Sequence, residues 1–163
     1  MRGPRVTDRG GGFGEDLDRQ RAQIMRRVRH AADDWAAAMR AHMLAPPDLG
    51  FAQRLRNLAE AAANEQVAWE YAHSVGLLWR PVPGAESSSP PYELRPGTGR
   101  RGPEALWKRF DAAVAGLNEA ISGSDSAAVA DAFGEFADAA GTLADAVAEE
   151  DRAAQGARER GAA

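Results

Sequence analysis

The chain has 163 residues, 44% of them apolar and 27% charged, with a net charge of −4. This is enough for one domain with a packed core. It has no cysteine, which excludes disulfides, thiolate metal sites and cysteine nucleophiles. No run of about 18 apolar residues is present, so no membrane-spanning helix is expected, and the Arg/Gly-rich start lacks the apolar segment of a secretory signal. The expected location is cytoplasmic.

Charge divides the chain. Residues 1–101 hold 15 Arg against 12 Asp and Glu, whereas residues 104–151 set Lys108 and Arg109 against 11 Asp and Glu. An acidic second half argues against wrapping nucleic acid, which needs a continuous basic stripe.

Residues 1–14 read as a disordered arm because Gly10, Gly11, Gly12 and Gly14 raise its backbone entropy. A first helix is predicted over 16–44. At 100° per residue, Leu17, Ile24, Val28, Ala31, Trp35 and Met39 fall on one stripe. Pro46 and Pro47 end it. Asp48 is placed to cap a second helix over 49–75, with Phe51, Leu55, Leu58, Ala62 and Trp69 on its stripe and Gly76 just past its end. Residues 77–102 form a long Pro/Ser-rich loop with Leu77, Leu78, Trp79, Val82, Tyr92 and Leu94 among its prolines.

Pro103 opens a third helix over 103–122, whose stripe is Leu106, Phe110, Val114, Leu117 and Ile121. Asp125 or Ser124 caps a fourth over 126–154. There Val129, Phe133, Phe136, Ala140, Leu143 and Val147 repeat at alternating spacings of 4 and 3, as near-parallel helix packing requires. The tail over 155–163 is expected to fray. The fold class is therefore all-α: four long helices in two helical hairpins, resembling a four-helix bundle, with the long loop between the hairpins.

The candidate chemistry is sparse. Glu70 and His73 have the Glu-x-x-His spacing that supplies two metal ligands from one helix. The chemistry needs further ligands on the other helices, and neither the third nor the fourth helix has a histidine. His42 and His73 lie about 25–30 Å apart along the first hairpin, too far to share a metal. Asp33 and Asp34 lack a third carboxylate four residues on, where Ala37 and Ala38 stand. Glu65 falls near the core stripe and is expected to pair with an arginine of the first helix. Arg19, Arg21, Arg26, Arg27 and Arg29 are expected to answer the acidic second hairpin. Gly97 to Gly102 precedes a helix but follows no strand and lacks Gly-Lys-Ser/Thr, so nucleotide binding is not expected. No catalytic, cofactor or metal residue is assigned, and no cofactor is expected.

One surface stands out. Val67, Tyr71 and Val75 sit roughly 120–160° from the Phe51–Trp69 stripe, so the second helix carries two apolar faces. Either Trp79 and Tyr92 of the loop cover the second face, or Val67, Tyr71, Val75 and Trp79 meet a protein partner or a second copy. The expected function is that of a non-enzymatic protein-interaction or regulatory protein. The alternative is a small-molecule binder or enzyme with a pocket between the bundle and the 77–102 loop, lined by Trp69, Trp79 and Tyr92. No specific nucleic acid and no membrane is expected as partner.

Overall fold

The computed structural model describes residues 8–44, 50–77 and 101–161. They form four α-helices: α1 (Asp8–Leu44), α2 (Phe51–Ser74), α3 (Glu104–Ser122) and α4 (Ser126–Gly161). Among the described residues there is no strand, and no helix is long and apolar enough to cross a membrane. The all-α, bundle-like architecture follows the four stripes. The residues expected to form the Pro/Ser-rich loop, with Trp79 and Tyr92, lie outside the described residues except for Leu77, Arg101 and Gly102.

Helix ends follow local chemistry. The end of α2 is a Schellman turn. Gly76 takes φ +73°, its N–H donates to the His73 carbonyl at 3.0 Å, and the Leu77 N–H donates to the Ala72 carbonyl at 2.9 Å. Asp125 caps α4 as expected, its Oδ1 accepting from the Ala127 N–H at 3.0 Å. Two helices run further than the sequence predicts. α1 begins at Asp8, inside the expected arm of residues 1–14, and α4 continues to Gly161, past the expected end at 154. Extending an existing helix adds one hydrogen bond per residue without a new nucleation cost, so glycines that would not start a helix can lengthen one. Arg158 and Arg160 in the last turn of α4 also complement the helix dipole.

The hairpins pack with α2 and α4 as the central pair, α1 against α2 and α3 against α4. Three contacts fix the α2–α4 register as antiparallel. Arg56 Nη2 lies 3.3 Å from Asp145 Oδ1, Gln66 lies against Gly134, and Ser126 Oγ donates to the Leu77 carbonyl at 2.5 Å. A run of rings joins all four helices. His42 packs on Phe51, which stacks on Trp107; Trp107 meets Phe110, Phe110 meets Phe136, and Trp35 sits edge-on to both Phe133 and Phe136 with centroids 5.3 and 5.1 Å away.

At the other end of α4, Trp107 Nε1 donates to the Arg101 carbonyl at 2.8 Å and Arg101 pairs with Asp151. Gly102 takes φ +103°, and a Cβ there would lie 3.2 Å from Leu143. Leu77 and Arg101, which flank residues 78–100, are thus held at opposite ends of the stretch from Ser126 to Asp151, roughly 38 Å apart along α4.

α1 is the longer partner in its hairpin. The Arg27 guanidinium lies over Tyr71 and His42 lies on Phe51, so α2 ends near residues 20–24 of α1. Beyond that point no other described helix packs on α1, and residues 14–23 are all exposed. Leu17 shows the consequence: it continues the Ile24–Trp35 stripe, yet is 40% exposed.

Candidate functional site

The outer seam between α1 and α2 forms an open groove of about 840 Å³. Its α1 wall is Gln20, Gln23, Arg27, His30 and Asp34, with Arg26 at the rim. Those five positions recur at spacings of 3 and 4, so they share one flank of the helix, beside the buried Ile24, Val28, Ala31 and Trp35. The α2 wall is Asn64, Val67, Ala68 and Tyr71.

Val67 and Tyr71 lie one turn apart and are 48% and 50% exposed. The Arg27 guanidinium sits 5.5 Å from the Tyr71 ring centroid, a cation–π contact that carries charge onto the aromatic face. His30 Nε2 and Asp34 Oδ2 are 3.5 Å apart, both on the exposed side. The lining holds amides, guanidinium groups, an imidazole–carboxylate pair and a phenol, without Ser, Thr or Cys. Such a surface can bind through apolar contact and hydrogen bonds. It has no side-chain alcohol or thiol for the His30–Asp34 pair to activate.

The structure separates the residues singled out from the sequence. Val67 and Tyr71 share the groove. Val75 is partly buried and packs against the core. It lies past the last helical residue, with φ −103° and ψ 12°, so the 100° rule no longer sets its direction. Trp79 and Tyr92 lie outside the described residues. Apolar periodicity does not reveal the α1 wall, which is polar. Its signal was present as the recurrence of polar residues at 20, 23, 27, 30 and 34, adjoining the core stripe.

Glu65 is buried, 3% exposed, as its place on the stripe implies. Its partner is the Trp69 indole, whose Nε1 donates to Oε2 at 3.0 Å, rather than the expected arginine of α1. The α1 face turned to the core is Ile24, Val28, Ala31 and Trp35, so the partner comes from one turn along α2 itself. Burial pushes the Glu65 carboxyl up to about 7, against the hydrogen bond that favours its ionised form. His42 is also buried, and desolvation together with the nearby Arg54 charge lowers it to about 4.

The expectation that the α1 arginines answer the acidic hairpin is also corrected. Arg19 pairs with Asp16 on its own helix at 3.1 Å and Arg27 lies over Tyr71, while Asp145 and Asp151 meet Arg56 and Arg101. The reason is the packing order: the close backbone neighbours of α4 are α2 and α3, and α1 reaches it through Trp35 rather than through its arginines. Glu70 and His73 are exposed, and Glu70 accepts from Gln66 Nε2 at 3.1 Å.

No family model matches the chain, and neither a curated protein nor a solved structure does.

Proposed function

We propose that this chain is a non-enzymatic, cytoplasmic protein-interaction or regulatory protein that engages a protein partner through the α1–α2 seam, with no specific nucleic acid and no membrane as ligand. One observation carries the reading: Val67 and Tyr71 are half-exposed in a groove beside a buried, ring-linked core. Large apolar side chains grouped on a surface mark interaction sites, and tyrosine is over-represented among residues that dominate binding energy. The flanking Gln20, Gln23 and Asn64 supply a polar rim of the kind that surrounds such anchors.

The test is Tyr71→Glu. The parent and the variant are immobilised and exposed to extract of the source cells, and both are melted. The reading expects a melting temperature within about 3 °C of the parent, because a half-exposed substitution away from the core changes stability little. It also expects loss of a stoichiometric captured protein. Equal capture by parent and variant contradicts it. A second reading, a small-molecule site, draws support from the groove volume, which falls in the range of ligand pockets. Under that reading a metabolite panel raises the melting temperature of the parent and not of Tyr71→Glu.

A further inference from the structure

We propose that the occupant of the α1–α2 groove is an acidic amphipathic α-helix of a partner protein, whose carboxylates meet Arg26 and Arg27 and whose apolar face lies on Val67 and Tyr71. This rests on the reading of the seam as a binding surface and adds the chemistry of what binds.

Shape comes first. Two antiparallel helices make a straight valley, and the α1 wall runs from Gln20 to Asp34. That stretch is about 21 Å long, the length of roughly four helical turns. Val67 and Tyr71, four residues apart, present a narrow apolar row, and a helix meets such a row with side chains at i, i+3 or i+4 and i+7.

Charge selects the kind of helix. Among the described residues no carboxylate pairs with Arg26 or Arg27, and the one carboxylate of the lining, Asp34, faces His30. Guanidinium groups without a carboxylate partner beside an apolar row, Arg27 lying on the Tyr71 ring, favour an acidic occupant and disfavour a basic one.

The same residues argue against a second copy. Apposing two grooves about a two-fold axis would bring Arg26 and Arg27 against their own counterparts. The exposed acidic face of α4, with Asp131, Glu135, Asp138, Asp145 and Glu149, has the right charge. It lacks the apolar anchors: the large exposed hydrophobics among the described residues are Leu17, Met25, Val67 and Tyr71, all on α1 and α2.

The experiment pans a helix-biased peptide library against the full chain and measures the recovered peptides by fluorescence anisotropy. The expected pool is acidic with apolar residues at helical spacing. Its binding falls on the order of tenfold in Arg26→Glu/Arg27→Glu, falls similarly in Tyr71→Glu, and weakens as salt rises from about 0.05 to 0.5 M. Circular dichroism checks that each variant is folded. If the double charge reversal does not fold, Arg26→Gln/Arg27→Gln replaces it, with a smaller loss expected. A neutral or basic pool that still depends on Tyr71 overturns the acidic occupant while leaving the binding surface standing. An empty pool, or one indifferent to all these substitutions, overturns both. A concentration-dependent dimer in sedimentation that Tyr71→Glu abolishes makes the occupant a second copy and overturns the proposal.

Discussion

Among the described residues, Glu65 and His42 are the two ionisable side chains that the fold buries, and each resists its charged form. The stability consequences have opposite sign. Glu65 moves from its ordinary 4.5 to about 7, so between those values the unfolded chain has released a proton that the native state keeps, and stability falls as pH rises. His42 moves from 6.5 to about 4, so below 6.5 the unfolded chain takes up a proton that the native state refuses, and stability falls as pH drops. Each shift corresponds to about 3 kcal/mol. Over roughly pH 4.5–6.5 the two slopes oppose each other. Single substitutions therefore expose what the parent hides. In thermal melts at a series of pH values, Glu65→Gln, which keeps an acceptor for the Trp69 indole, gains most over the parent near pH 8 and least near pH 4.5. His42→Gln loses the drop on acidification and leaves stability falling from pH 4.5 to 7. Variants whose melting shifts are equal at every pH contradict this assignment.

At the scale of the element, the glycines inside α3 and α4 give a test of the packing. A Cβ at Gly116 or Gly141 meets nothing within 4 Å, so alanine there should add about 1 kcal/mol of helix stability in urea denaturation. At Gly134 a Cβ would lie 2.8 Å from the Gln66 amide across the α2–α4 interface. Gly134→Ala should gain less by itself, because Gln66 must leave its bond to Glu70, and should recover the full gain when combined with Gln66→Ala. Additive effects in that double-mutant cycle would contradict the close approach.

Helices were the legible part of this chain. Each core stripe lies in the structure where 100° per residue places it, from Ile24–Trp35 to Val129–Val147, because periodicity is a property of one helix at a time. Which helix meets which was not legible. Nothing in a stripe states that α2 pairs with α4, so the arginines of α1 were assigned to a hairpin that Arg56 and Arg101 serve instead. Leu17 was placed in the core because its angle is right, and is exposed because α2 stops short of it. The same limit applies to the site: Val67 and Tyr71 could be read as a second apolar face, whereas the polar wall opposite them exists only once α1 is docked.

For the whole molecule, the packing order leaves α1 with a flank that no other described helix covers. α3 packs on α4, α1 reaches α4 through Trp35 on Phe133 and Phe136, and the large exposed apolar groups of the described residues are confined to the first hairpin. Tyr71 stays half-exposed in this seam. The most direct measurement is a titration of the isotope-labelled full chain with a recovered acidic helical peptide, followed through backbone amide resonances. The expected shifts cluster at residues 20–34 of α1 and 64–71 of α2, with α3 and the outer face of α4 unchanged. Shifts centred on α3 or on Asp131–Glu149 of α4, with the seam silent, would contradict the proposal.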